Sequence, residues 1–346
     1  MSSLEEIDFS SVLPPMSDEA LEAEKRLERT ISIVVPMFFS VIGFIGFVGN
    51  ILVIITVLFN VQMRNTTNLL ILNLSLADLL FIIFCIPFTA VDYSFGQWPF
   101  GLLWCKIVQY LIVVTAYISI YTLVLMSMDR FLAVCYPVSR IRSERNTLIS
   151  IIVLWAAVLS TNLPVFHAHG LNEYLDQGRN LTSCTFITNN DFLSWSAFHI
   201  SLFTSSYLLP LLLISVLYLF MLMRLWKSNL TQSKESRRGK RRVTRLVIVV
   251  VACFALLWLP IQTILLLKSL QLYHSDTHLT IALQISAHCL AYTTCCINPL
   301  LYAFLSENFR KSFRKIVYCG SSNPRNRHNN HQPMVPTSTK VTRTSF

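Results

Sequence analysis

The chain has 346 residues, 53% of them hydrophobic and 13% charged, with a formal charge of +10 and a mean hydropathy of +0.55. A soluble globular chain carries about a quarter charged residues, so this composition excludes a disordered, collagenous or disulfide-stapled secreted protein and argues against a cytosolic enzyme. Long apolar runs make a multi-span membrane protein the working class.

Met1 to Thr30 is polar and acidic (8 acidic, 3 basic residues) and lacks the apolar core of a signal peptide, so it reads as an N-terminal tail. Apolar stretches follow at 31–59, 68–91, 103–135, 147–166, 196–226, 243–267 and 279–305. Each is near or above the roughly 20 residues needed to cross about 30 Å of hydrocarbon, which predicts seven spans. The two halves show no internal repeat. With the tail outside, 6 of the 28 Lys and Arg residues fall outside and 22 inside, as the preference for positive charge on the cytoplasmic side demands. The net charge is therefore two opposed fields and says nothing in favour of nucleic acid. The third inner loop holds Lys234, Arg237, Arg238, Lys240, Arg241 and Arg242. It reads as an anchor to anionic lipid, as a docking surface for a cytoplasmic partner, or as both.

Charges and prolines inside spans are costly and need a reason. Asn50 lies midway along the first span and Asp78 near the middle of the second. Asp129-Arg130 stands at the inner end of the third. Trp258 and Pro260 sit in the sixth, where the proline removes a backbone donor and kinks the helix. Asn298-Pro299-Leu300-Leu301-Tyr302 lies in the seventh. Any one of these alone reads as interhelical packing; on five spans in this order they are not a chance set.

With Gly49-Asn50, Leu76-Ala77-Asp78, Cys105, Asp129-Arg130-Phe131, Trp155, Pro210 with Tyr218, Phe254 and Trp258-Leu259-Pro260, the chain resembles the rhodopsin-like (class A) G-protein-coupled receptors over about 31–319. A finer resemblance, to insect allatostatin-A receptors and their galanin-receptor relatives, is carried by Trp98-Pro99-Phe100-Gly101, by Trp104 through Tyr110, and by Tyr121 through Val134. The implied fold is all-α: a tail over 1–30, a seven-helix bundle over 31–305, a short amphipathic membrane-surface helix over 306–319, and a disordered cytoplasmic tail over 320–346. Phe309 and Phe313, four apart, would form the apolar face of that eighth helix.

Rival classes lack their marks. A transporter would show inverted repeats, a channel a filter loop or an Arg-rich sensor span, and an enzyme a nucleophile–base set or metal motif. The seventh span has no Lys to carry retinal. Ile112 stands where amine receptors place their acid. The alternatives that stay open are a receptor for another galanin-like or amidated peptide and a non-receptor transporter.

The resemblance implies a short amidated peptide as ligand, of the insect family ending in Phe-Gly-Leu-amide. An amide needs neutral donors and acceptors, which Gln109, Gln262, Gln284 and His288 would supply. Asp92 and Asp276 would take a basic residue of the peptide, and Phe88, Phe186 and Tyr292 would supply apolar walls. Asp78, Ser119 and Asn298 would form a cage for sodium as an allosteric ion, with no other cofactor required; Thr294 and Cys295 depart from the usual cage. Ile120, Pro210 and Phe254 would connect the pocket to the inner end, with Trp258 as its floor. Arg130, Tyr218 and Tyr302 would meet when the sixth helix moves out. The acid that many relatives place at the inner end of that helix is Lys240 here, which leaves Asp129 as the carboxylate for Arg130. Val138 would enter the G protein, expected to be Gi/o, at the plasma membrane with the N-terminus outside.

Of nine cysteines only Cys105 and Cys184 face the oxidising side, so they are expected to pair. Asn180-Leu181-Thr182 is a glycosylation sequon in the same outer loop. Cys319 is a palmitoylation candidate. Phosphorylation of Thr337, Ser338, Thr339, Thr342, Thr344 and Ser345 by kinases would create an arrestin-binding segment.

Overall fold

A computed structural model of the chain describes residues 18–60, 63, 65–137, 140–176, 179–187, 194–227, 234–273, 277–305, 309–311 and 313. Asp276, Val138 and Cys319 lie outside the described residues, as do 314–346 with their Ser/Thr cluster. Seven helical segments among the described residues are long and apolar enough to cross a membrane: 25–59, 66–95, 101–135, 144–168, 195–224, 247–269 and 278–304. They match the seven predicted stretches in order.

The first span belongs to helix α1 (Asp18–Phe59), which runs 42 residues and starts inside the segment expected to be tail. Its first turns are rich in Ala, Leu, Glu, Lys and Arg, all strong helix formers, so polarity alone does not end the helix there. The second span is two helices. Helix α2 (Thr66–Phe84) opens on Asn65, whose side chain accepts from the Asn68 backbone N–H at 3.0 Å. It breaks at Cys85, and α3 (Ile86–Phe95) resumes with Pro87 in its first turn. A proline is tolerated there because its missing N–H would be unpaired anyway. Gly96, at φ 63°, then ends α3 in the left-handed conformation that favours glycine.

The third span is α4 (Gly101–Cys135). The fourth is α5 (Glu144–Thr161), capped by Ser143, followed by the short α6 (Leu163–Ala168). A hairpin of β1 (His169–Asp176) and β2 (Arg179–Phe186) then pairs antiparallel with Leu171 opposite Cys184. The fifth span is α7 (Trp195–Phe203), one π-helical turn over Thr204–Leu208, and α8 (Leu209–Lys227). The sixth is α9 (Lys234–Ser269), containing Pro260, and the seventh α10 (His278–Leu305), containing Pro299. Beyond it, Phe309 packs on Tyr302 and on Phe313, with centroids 5.6 and 5.8 Å apart. Phe309 and Phe313, expected to form the apolar face of an eighth helix, are thus seated against the bundle's inner end.

Buried polar side chains tie the spans where hydrophobic sorting cannot, since lipid is as apolar as Leu. The Asn50 amide donates to the Gly46 carbonyl at 2.9 Å and to the Cys295 carbonyl at 2.8 Å, joining the first and seventh spans. Gly49 permits the same approach: a Cβ there would stand 2.7 Å from Pro299 Cγ. Asn73 donates to Thr122 Oγ1 and accepts from Trp155 Nε1, both at 2.8 Å, which joins the second, third and fourth spans.

Candidate functional site

At the outer end a disulfide joins Cys105 to Cys184, with Cα atoms 5.5 Å apart, and pins the hairpin to the top of α4. The Trp98 backbone N–H adds a bond to the Thr182 carbonyl at 2.7 Å. Asn180 is exposed on β2.

Beneath this cover the expected ligand groups take distinct places. Gln109, partly buried, has its amide 3.8 Å from Cys184 Sγ. Gln262 is 7% exposed, and no described residue hydrogen-bonds its amide. His288 Nδ1 lies 3.0 Å from the Gln284 carbonyl one turn earlier. A carbonyl accepts, so Nδ1 carries the proton and a neutral ring keeps Nε2 as an acceptor. The Gln284 side-chain oxygen accepts from Lys268 Nζ at 2.7 Å, joining the sixth and seventh spans. Asp92 is partly buried on α3, beside Tyr93, which packs in one cluster with Cys289 and Tyr292 of the seventh span.

The three aromatics do not share one wall. Phe88 stacks on Trp104 at 4.9 Å between the second and third spans. Phe186 is buried under the hairpin against Phe198, Val165 and Ala168. Tyr292 packs deep between Phe39 at 5.1 Å and Phe81 at 4.7 Å. Near Phe186, His169 meets the Val165 carbonyl through Nδ1 at 2.9 Å, and burial holds its pKa below the usual histidine value.

Along the bundle axis Asp78 accepts from Asn298 Nδ2 at 2.9 Å. It borders a cavity of about 30 Å³ with Ser119, Thr115, Trp258, Thr294 and Cys295. Thr294 Oγ1 and Trp258 Nε1 are buried there without partners among the described residues. Phe254 stacks on Trp258 at 5.5 Å and shares a buried cluster with Ile120. Pro210 is buried just past the π-helical turn. Within that turn, Tyr207 donates to the Ala255 carbonyl at 2.8 Å and so links the fifth span to the sixth.

At the inner end Asp129 accepts from Thr66 Oγ1 at 2.7 Å, Thr67 Oγ1 at 2.8 Å, Arg142 Nε at 2.8 Å, and the Arg130 guanidinium. Arg130 Nε and the Tyr302 hydroxyl are buried without partners, while the Tyr218 hydroxyl approaches Ser127 without hydrogen-bond geometry. Among the described residues no hydrogen bond joins the three groups expected to meet on activation, although the Tyr218 hydroxyl lies within electrostatic reach of Arg130.

A larger cavity, of about 810 Å³, lies between the third, fourth and fifth spans and shares Val165 and Phe198 with the packing around Phe186. Its walls include exposed apolar residues of the fourth span such as Val153. Sequence reasoning missed Thr66, Thr67 and Arg142 at Asp129 and Lys268 at Gln284. Arg142 and Lys268 entered it only as charges on one side of the membrane.

Residues 49–302 match the profile of the 7 transmembrane receptor (rhodopsin family). The chain is 53% identical over 322 residues to the allatostatin-A receptor of Bombyx mori, covering 92% of this chain and 87% of that one. It is 39% identical over 295 residues to galanin receptor type 2 of Rattus norvegicus (82% and 76%). With the galanin-like G-protein coupled receptor npr-9 of Caenorhabditis elegans the identity is 35% over 328 residues (84% and 74%).

Proposed function

The chain belongs to the rhodopsin-like seven-transmembrane receptor family, and from that premise we propose that it is the receptor for a short, C-terminally amidated neuropeptide of the allatostatin-A type. Members of this family are receptors rather than enzymes, and G proteins are their partners. We place this one in the plasma membrane with its N-terminus extracellular, in keeping with the split of basic residues, and couple it to Gi/o, which lowers cyclic AMP.

The observation that carries the ligand reading is Gln262. The residue is largely buried, yet its amide atoms are not among the sealed polar atoms and no described residue hydrogen-bonds them, so the amide is open to polar groups of a ligand. His288 Nε2 would add an acceptor, so the outer sixth and seventh spans offer a neutral donor and a neutral acceptor. That chemistry suits a carboxamide and not a carboxylate. Asp92 would take a basic group of the peptide. Ligand contact with the sixth span would bear on the Phe254–Trp258 stack, and Tyr207 and Ala255 would have to part before the inner half moves.

Asp78, Ser119 and Thr294 fit a largely dehydrated sodium ion: one carboxylate and two hydroxyls border a cavity of about 30 Å³, and the Thr294 hydroxyl has no partner among the described residues. Sodium would supply positive charge beside Asp78. The protein's own part is to hold that carboxylate through Asn298. Glycosylation at Asn180, palmitoylation at Cys319, contact of Val138 with the G protein, and kinase and arrestin action on the tail remain parts of the same proposal.

The test is a cyclic-AMP and calcium screen of cells expressing the full chain against paired peptides, each as amide and as free acid. An amidated member ending in Phe-Gly-Leu should be active at the lowest concentration. Gln262→Ala and His288→Ala should each weaken the amide more than the acid. One neutral hydrogen bond accounts for about 0.5–1.5 kcal/mol, or roughly two- to tenfold in potency. Equal weakening of both peptides would mean that these residues do not read the amide.

A further inference from the structure

The cavity of about 810 Å³ between the third, fourth and fifth spans is bordered by Val153 and Ala157, both exposed on the fourth, so it faces the bilayer. Along α5 it runs from Ile149 to Thr161. Those twelve positions rise about 18 Å at 1.5 Å per residue, a little more than half of about 30 Å of hydrocarbon. Among the described residues no charged side chain lines it. A groove that only met acyl chains would need no polar group, yet this one has several.

Their hydrogen bonds give the cavity a single polarity. Thr161 Oγ1 donates to the Ala157 carbonyl at 2.8 Å, and Ser201 Oγ to the Phe198 carbonyl at 2.7 Å. Ser205 Oγ donates to the Ser201 carbonyl at 2.5 Å, so Tyr117 must be the donor in its 2.6 Å bond to Ser205 Oγ. Tyr121 donates to the Ser205 carbonyl at 2.9 Å. Every one of these hydroxyl protons is used, while a hydroxyl oxygen has two lone pairs and so keeps a place to accept. Asn162 is 7% exposed, and its Nδ2 donates to the Val158 carbonyl at 2.9 Å. Its Oδ1 is not sealed from the cavity, and no described residue hydrogen-bonds it. Asn162 lies six positions inside the outer end of the fourth span and Ser201 six inside that of the fifth, each about 9 Å below its end. The acceptors at the outer part of the cavity are therefore at one depth.

We infer that this cavity is a binding site for a neutral lipid alcohol of the sterol type, whose hydroxyl donates to Asn162 Oδ1 and whose rigid body lies along α5 toward Ile149. The walls decide among membrane molecules. A charged headgroup finds no counter-ion here. The ester carbonyls of a phospholipid or a diacylglycerol are acceptors and would face acceptors. A flexible acyl chain loses rotational freedom when it is fixed in the groove, and a fused ring system has little to lose. A rigid body in the groove also rests against Tyr117 and Tyr121, the two hydroxyls that hold Ser205 in the π-helical turn.

The experiment uses the full chain in phosphatidylcholine nanodiscs with a photoreactive sterol, and the labelled residues are mapped. Labelling should saturate and fall on the fourth and fifth spans. The competitors are cholestanol and the matching ketone, which differ only in the head group. The alcohol should compete at about two- to tenfold lower concentration, the scale of one neutral hydrogen bond. Asn162→Leu should bring that ratio near one; the ratio is read within each variant, so a partly folded variant still reports. Ala157→Trp fills the groove from an exposed position, so folding is spared and saturable labelling should disappear. Phe44→Trp, at an exposed position on the first span, should leave labelling unchanged. Label spread over all spans and indifferent to Ala157→Trp would mean surrounding lipid only and overturns the site. Equal competition by alcohol and ketone in the wild type, or an unchanged ratio in N162L, overturns the role of Asn162 and the inference with it. Labelling of the same residues by a photoreactive phosphatidylcholine that cholestanol does not displace would show that an acyl chain is the occupant instead.

Discussion

Asp129 and Asp78 are both buried carboxylates, at 7% and 4% exposure, yet the protein surrounds them in opposite ways. Asp129 collects donors from Thr66, Thr67, Arg130 and Arg142, which come from the second span, the third span and the loop beyond it. Among the described residues Asp78 has one hydrogen-bond donor, Asn298, beside a small cavity. A carboxylate with its acceptor sites filled holds its neighbours in one arrangement. A carboxylate left with spare capacity in an apolar setting is sensitive to any cation or proton that arrives. The first is built as a latch and the second as a point of control, so the two should fail differently when changed.

The largest effect is expected at the latch. Asp129→Ala removes the acceptor of four donors and leaves the Arg130 guanidinium buried without its counter-ion. Breaking a buried pair in this way typically costs about 3–5 kcal/mol. Thermal stability and surface expression should fall, and signalling without ligand, normalised to surface receptor, should rise several-fold. Asp129→Asn keeps the shape and part of the hydrogen bonding, so it should lose less stability while still freeing Arg130. Ligand-free signalling at the wild-type level in both variants would show that Asp129 holds nothing relevant to activation.

Asp78→Asn is the matching change at the point of control. It removes the charge but keeps an oxygen for Asn298, so folding should survive. Agonist affinity of the wild type should fall as sodium is raised, because an ion that binds one state better draws the population toward it. In the variant that dependence should vanish. A clear sodium effect of equal size in both proteins would remove Asp78 from the control role and leave the comparison with Asp129 as one of packing alone.

Much of this architecture was legible before the coordinates, and the limits have physical causes. The seven spans were readable because hydropathy is local and the bilayer sets the length of each run. The Cys105–Cys184 pair was readable because topology left two cysteines on the oxidising side. The helix through Asp18–Thr30 was not, since a hydropathy window ends at the membrane boundary while helix propensity does not. The break at Cys85 and the π-helical turn over Thr204–Leu208 leave no periodic mark in composition. Asp78, Asp129, Arg130 and Gln262 stood out as costly or suggestive residue types. Their partners did not: Arg142 is 13 positions from Asp129, Thr66 is 63 away, and Lys268 is 16 from Gln284. Such pairings are made by tertiary packing, and residue type alone does not announce them.

The smallest effect sharpens the comparison most. Arg142 lies in the loop after the third span and is 35% exposed, unlike the nearly covered carboxylate it meets. Water screens that contact, so its contribution should be near that of an exposed ion pair, about 0.2–1 kcal/mol. Arg142→Gln should therefore raise ligand-free signalling by no more than about fivefold, below the rise in Asp129→Asn. The Thr66 and Thr67 bonds would still hold the carboxylate in place. In the double variant with Asp129→Asn, Arg142→Gln should add little, because the charge it met is already gone. A full additive rise would mean that Arg142 acts elsewhere on the inner surface. A rise larger than that of Asp129→Asn would mean that the loop, and not the pair within the third span, holds the latch shut.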